Sequence, residues 1–371
     1  MSDQPPRPVT RPGKPGSGTP VVHAAPGARR DRSDADRQRH FIFLLLNQFT
    51  HLPFAAALEP LRIANRMSGL PLYRWTVIAE DSIVASADGT RLMVDAGLIE
   101  VARDDVVILC SGLEVRKHTT PALLNWLRRA ARKGSVIGGV CTGTYALARA
   151  GLLNGRRATI HWESRDGFAE DFPDVVLTKS VFAIEGNRMT AAGGTAALDM
   201  MLTLIADDHG RDLANGVADQ MIHTGLRTQA DTQRLSIPTR IGVRHPRLAE
   251  VIAQMEAQIE EPASPADLAA AVGMSTRQLE RLFRRYLNRS PKRYYMELRL
   301  ARARNLLMQT DMSVIEVALA CGFTSPSHFS KCYRAQYGTT PYRERGAQGI
   351  GNEEGAEPGL PEGPDEDDAL V

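Results

Sequence analysis

The segment Gly138-Gly139-Val140-Cys141-Thr142-Gly143-Thr144-Tyr145-Ala146-Leu147-Ala148, GGVCTGTYALA, passes from an apolar run through small residues into a helical pattern, with a cysteine at the turn. Strand, tight turn and helix in that order predict a parallel α/β sheet with Cys141 at the carboxyl edge of a strand. There the side chain lies beside backbone N–H groups and the positive end of the next helix, a setting that lowers a thiol pKa and stabilises an oxyanion. The same residues equally suit a small cysteine buried at a tight turn. Two readings are open, a reactive thiol and a packed one.

Outward from this turn, short apolar runs alternate with helical patterns: FIFLLL (41–46), a helix around 54–67, WTVIA (75–79), DVVILC (105–110), PALLNWLRRAARKG (121–134) and SVIGGV (135–140). Strands of this buried type between helices indicate a sheet covered on both faces. Gly193-Gly194-Thr195 then opens a helix over AALDMMLTLIADDHG, and DLANGVADQMIHTGL suggests another. The periodicity stops at QADTQRLSIPTRIGV, which contains Pro238 and Gly242. An α/β domain over 40–228 and a linker over 229–244 are therefore expected.

At 371 residues, with 43% hydrophobic and 24% charged content, the chain has the composition of folded globular domains and room for two or three. No apolar run approaches the about 20 residues of a membrane-crossing helix, and no signal-peptide core opens the chain. A cytoplasmic protein without a membrane partner is expected. Cys110, Cys141, Cys321 and Cys332 share no C-x-x-C spacing, so neither a disulfide framework nor a metal site is indicated, and no cofactor is implied. The net charge of +2 hides a segregation: residues 275–345 carry 14 basic against 5 acidic side chains, and residues 346–371 carry 8 acidic and none basic. The first block suits a polyanion. Residues 1–39, rich in Pro and Arg, and the acidic 346–371 read as disordered tails.

From 245 to 345 the pattern is all helical and repeats itself. LAAAVGMSTRQLERLFRRYLNRSP (268–291) lies over VALACGFTSPSHFSKCYRAQYGTTP (317–341), matching Gly273 with Gly322, Leu279 with Phe329, Phe283 with Tyr333 and Pro291 with Pro341. Each unit has a short helix, a glycine turn, a capping Ser or Thr and a second amphipathic helix, the pattern of a helix-turn-helix. In the first unit Leu279, Leu282 and Phe283 turn inward, leaving Arg277, Gln278, Arg281, Arg284 and Arg285 outward after Ser275 and Thr276. In the second, Phe329, Cys332 and Tyr333 turn inward, leaving Ser327, His328, Lys331 and Arg334 outward after Ser325. Guanidinium forks and an amide suit guanine, phosphate and adenine in a major groove of double-stranded DNA. Arg289, Lys292 and Arg293 are further candidates for phosphate contacts. The helix YYMELRLARARNLLMQ (294–309) would span about 24 Å between the units, compatible with major-groove faces roughly 34 Å apart.

This repeat resembles the AraC/XylS family of transcription factors, with ALACGFTSPSHFSKCYRAQYGTTP its most specific segment. Residues 41–225 resemble the ThiJ/PfpI, class I glutamine-amidotransferase-like superfamily, whose elbow cysteine is reactive in the enzymatic members. That resemblance puts His161 beside the thiol. The chain departs from the hydrolases at Ala56, where an acid is expected, and at Thr142, where His is frequent. The two domains together resemble the GlxA family of regulators, through ALEPLRIANRMSG (57–69), CTGTYALARAGLLNGRRATIHW (141–162) and TAAGGTAALDMML (190–202). The resemblance implies a homodimeric activator of a catabolic operon that works with RNA polymerase and binds a quaternary amine, arginine or a similar effector in the former active-site cleft. Cys141 and His161 would line that cleft. Trp162 would offer a cation face, Glu59 a charge partner, and Thr142 with Gly194-Thr195 a carboxylate cradle. Two alternatives remain: a cysteine-dependent hydrolase or amidase fused to a DNA-binding module, and a redox sensor acting through Cys141.

Overall fold

The computed structural model describes residues 38–234, 236–243 and 245–347. The tails expected at 1–39 and 346–371 lie outside these described residues, except that Arg39 already opens the first strand and the last helix runs to Ala347. Six strands form the main sheet: β1 (Arg39–Leu45), β2 (Tyr73–Ile78), β3 (Val106–Cys110), β4 (Val136–Val140), β5 (Phe182–Glu185) and β6 (Arg188–Ala191). Their order is β2-β1-β3-β4-β6-β5, parallel throughout except for the β5–β6 edge hairpin.

Strand β1 shows why the runs are continuously apolar. Phe41, Phe43 and Leu45 enter one core with residues such as Leu61, Met200 and Ile205, while Ile42, Leu44 and Leu46 enter the other with Leu123, Leu127 and Leu147. Both faces are covered, so both alternating sets are buried, each large side chain contributing about 1.5–3 kcal/mol. The covering helices are α1 (His51–Ser68), α2 (Pro121–Lys133), α3 (Gly143–Arg149), α4 (Arg165–Asp171), α5 (Ala196–His209) and α6 (Arg211–Gln220). Helix α2 is delimited by its sequence: Thr120 caps the Leu123 N–H, Pro121 opens the helix, and Gly134 leaves it at φ 92°.

In register, Leu45 is paired with Cys110, Cys110 with Val140, and Val140 with Ala191. The parallel strands therefore end together, and the loops after them share one edge.

The stretch read as a linker is folded. Gln233 N–H donates to Lys179 O and Val181 N–H to Asp231 O, which ties 231–233 to the sheet domain. Helix α7 (Ile237–Ile241) packs against α8 (Pro246–Ala257). Six further helices follow: α9 (Pro265–Ala271), α10 (Thr276–Leu287), α11 (Pro291–Gln309), α12 (Val314–Ala320), α13 (Pro326–Tyr337) and α14 (Pro341–Ala347). Serines cap α9 to α13, through Ser264, Ser275, Ser290, Ser313 and Ser325. Each helix-turn-helix has its own core, one around Leu268, Leu279 and Phe283, the other around Val317, Phe329 and Tyr333. Helix α11 serves both, giving Tyr295 to the first and Leu300, Ala303 and Leu307 to the second.

Candidate functional site

Cys141 adopts φ 59°, in the left-handed region, at the junction of β4 and α3. For a side chain other than glycine this conformation costs about 1–2 kcal/mol and persists only where the surroundings enforce it. Three glycines let the backbone close around it. A Cβ at Gly139 would stand 2.8 Å from Thr144 N, one at Gly143 would strike Leu109 O, and one at Gly193 would stand 3.2 Å from the Cys141 sulfur. The Cys141 N–H donates to Ala191 O at 3.0 Å, fastening the elbow to the strand beyond.

The sulfur is surrounded by the loops of the shared sheet edge. Cys141 is 8% exposed. Burial pushes its thiol pKa up to about 11, and the Thr142 N–H and the Thr50 hydroxyl, which both favour the thiolate, offset this only in part. The donors expected at the elbow are thus present, but desolvation outweighs them. Burial also lowers the pKa of His161, opposed by the Glu163 carboxylate 3.7 Å from its Nδ1. Among the described residues no hydrogen bond joins Cys141 to His161, and the position where an acid would stand, Ala56, is buried and apolar.

The other expected pocket residues have partners within the chain. The Thr142 hydroxyl donates to Gly112 O at 2.6 Å. Thr195 Oγ1 accepts from Arg227 Nη2 at 2.6 Å. Arg227 is itself set by the buried Asp199, to which its Nε donates at 2.8 Å, while His223 Nε2 lies 2.8 Å from the other carboxylate oxygen. Glu59 pairs with Arg62 one turn along α1. Trp162, 40% exposed, carries the guanidinium of Arg234 over its ring at 4.6 Å. Thr50, Arg227 and Arg234 were not singled out by sequence. Arg234 stands in the stretch QADTQRLSIPTRIGV, whose lost periodicity marked it only as a boundary, and Arg227 lies just before it.

The segment carrying His161 and Trp162 leads directly to the helical domain. It continues through a short 3-10 turn into α4, and both turn and helix contact α11. A Cβ at Gly167 would come within 2.8 Å of Thr310 Cγ2. Arg302 of α11 lies 3.4 Å from Asp166, and Arg116 pairs with both Asp171 of α4 and Asp311 beyond α11.

On α10, Arg277, Gln278, Arg281, Arg284 and Arg285 are all exposed, and Leu279 and Phe283 are buried. Ser275 and Gln278 form a capping box, in which the Gln278 amide oxygen accepts from Ser275 N–H at 2.8 Å; Thr276 follows as the first helical residue. The amide group is held at the helix start, with its nitrogen as the remaining donor. On α13, Ser325 is the cap, and Ser327, His328, Lys331 and Arg334 are exposed. The His328 ring nitrogen lies 3.4 Å from Cys332 Sγ. Arg289 and Arg293 both pair with Glu297, whereas Lys292 is exposed.

Two family profiles match the chain: one described as "Helix-turn-helix domain" over residues 268–347, and one described as "DJ-1/PfpI family" over 43–207. Similar curated proteins include the HTH-type transcriptional regulator GbdR of Pseudomonas aeruginosa, 46% identical over 310 residues, covering 83% of this chain and 84% of GbdR. The HTH-type transcriptional regulator CdhR of the same species is 44% identical over 87% of this chain and 96% of its own. The HTH-type transcriptional regulator GlxA of Rhizobium meliloti is 38% identical over 83% and 96%. No helix among the described residues is long and apolar enough to cross a membrane.

Proposed function

This chain belongs to the GlxA-type helix-turn-helix transcriptional regulators, in which a DJ-1/PfpI domain precedes an AraC-type DNA-binding domain, and we propose that a small nitrogen-containing metabolite bound at the elbow edge controls its binding to an operator. The observation that carries this reading is the continuity between rim and reader. Glu163 acts electrostatically on the Cys141 thiol, and α4, which follows its turn without a break, abuts the helix joining the two reading units. A ligand that favours one placement of this segment shifts the reader by its differential affinity for the two placements.

In this reading residues 40–228 bind the effector and residues 245–345 read DNA. The elbow is a binding wall rather than a reaction centre. A neutral, buried thiol is a poor nucleophile and a poor peroxide target, which disfavours both the hydrolase and the redox sensor. Trp162 offers a cation face, and Gly194-Thr195 at the start of α5 offers backbone N–H groups for a carboxylate. Arg277, Arg281, Lys331 and Arg334 reach bases or phosphates, the chain acts as a cytoplasmic homodimer, and with RNA polymerase it activates a catabolic operon.

Anisotropy titration of the full chain on a site selected from genomic DNA tests this, with and without betaines, carnitine, amino acids and polyamines. At least one class changes the affinity, and an affinity indifferent to all of them contradicts effector control. Arg281→Ala weakens the selected site by about 1–3 kcal/mol, with a smaller loss on random DNA. Equal loss on both would reduce Arg281 to a phosphate contact.

A further inference from the structure

The face of Trp162 is already occupied by a cation that belongs to the chain. Arg234 lies over the indole at 4.6 Å, and its backbone is held nearby because Gln233 Nε2 donates to Thr159 Oγ1 at 2.8 Å and Ile160 O at 2.9 Å. The linker is thus fastened to the residues just before His161. The guanidinium is held much less firmly. Its ionic partner, Glu256 on α8, stands 3.7 Å away and already engages Arg240 through both oxygens, at 2.8 and 3.1 Å. The Arg234 side chain is 42% exposed, so it has room to leave.

We propose that Arg234 is an internal occupant of the Trp162 cation site, and that a small organic cation, a guanidinium or quaternary ammonium, binds there by displacing it. The inference rests on Trp162 lining the effector site. One side chain bridges the two domains, with the indole of the sheet domain on one side and Glu256 of the reader on the other. A competing cation on the indole leaves Arg234 only its contact to the reader. Ligand binding and the Arg234 bridge between the two domains become alternatives at a single ring, while Gln233 keeps the backbone in place. An aromatic face accepts a guanidinium or a tetraalkylammonium through the same attraction to its ring quadrupole, so the chain's own arginine indicates the class of ligand that fits.

The test uses the full chain and tetramethylammonium chloride as probe, against sodium chloride at equal ionic strength, with binding followed by saturation-transfer NMR on the probe's methyl protons. If Arg234 covers the ring about nine-tenths of the time, Arg234→Gln binds the probe about tenfold more tightly than the unsubstituted chain. Arg234→Lys retains a competing cation and falls between the two, and Trp162→Ala loses binding. Equal affinity in the unsubstituted chain and Arg234→Gln overturns the competition. Binding that survives Trp162→Ala, or that is missing from both the unsubstituted chain and Arg234→Gln, overturns the cation site itself. Effector control is read separately, from the response of operator binding to the wider panel, and survives these failures if that response persists.

Discussion

Cys141 unites two features that pull in opposite directions: a left-handed backbone, as at a nucleophile's turn, and a sulfur too deeply buried to ionise at neutral pH. With burial pushing its pKa up to about 11, the thiol stays protonated at pH 7.5. Iodoacetamide at that pH is expected to modify the half-buried Cys332 well before Cys141, as peptide mapping of the native chain would show. Early labelling of Cys141 would restore the nucleophile. The pH dependence has a definite sign. The unfolded thiol ionises near 9 and the folded one near 11, so this contribution to stability is complete below pH 9 and is lost as the pH rises through 11. Cys141→Ala should flatten the alkaline decline in urea stability by roughly 2 kcal/mol across that window. The position of Cys141 and the small residues around it were legible in the sequence, because a tight turn demands them locally. The clamp of Asp199 on Arg227 was not: its members lie 28 residues apart, and only the fold brings them together.

Among the elements, the two helix-turn-helix turns look equivalent in sequence and differ in space. Gly273 and Gly322 both have positive φ, 64° and 73°. Nothing crowds a Cβ at Gly273, whereas one at Gly322 would meet Ile259 O at 2.6 Å and Glu260 O at 2.8 Å. Gly273→Ala should therefore cost about 1 kcal/mol from the backbone alone. Gly322→Ala should cost at least about 2 kcal/mol more, because backbone oxygens cannot swing aside, and comparison of the two thermal transitions would show it. Equal costs would mean that the second turn relaxes freely. Strands and helices with long, uniform patterns were readable in advance. The β5–β6 hairpin was not picked out, although its Gly186-Asn187 turn, with Gly186 at φ 60°, is a recognised two-residue signal. Its strands are four residues each, too short for period alone to reveal. The packing of the described part of 229–244 was not legible for a related reason: it packs without repeating, so its order leaves no periodic trace.

Across the whole molecule, ion pairs join the sheet domain to the reader. Arg116 reaches acids on both sides, Asp171 of the sheet domain and Asp311 of the reader. Arg116→Ala removes the partly buried pair to Asp171, worth about 1 kcal/mol, and the contact to the fully exposed Asp311. Hydrogen exchange across α4 and residues 309–313 should then quicken about fivefold, with little change in α1 or α10. Unchanged exchange would mean that Arg116 does not hold the domains together. Helix α11 sets a different constraint, since both reading cores are built on it. Inserting one residue at its middle would turn everything beyond by about 100°. Inserting seven would nearly restore the phase but part the two units by about 10 Å, roughly three base pairs along a duplex. The loops of this protein can lengthen by drift; α11 is a ruler whose divisions are cut in DNA.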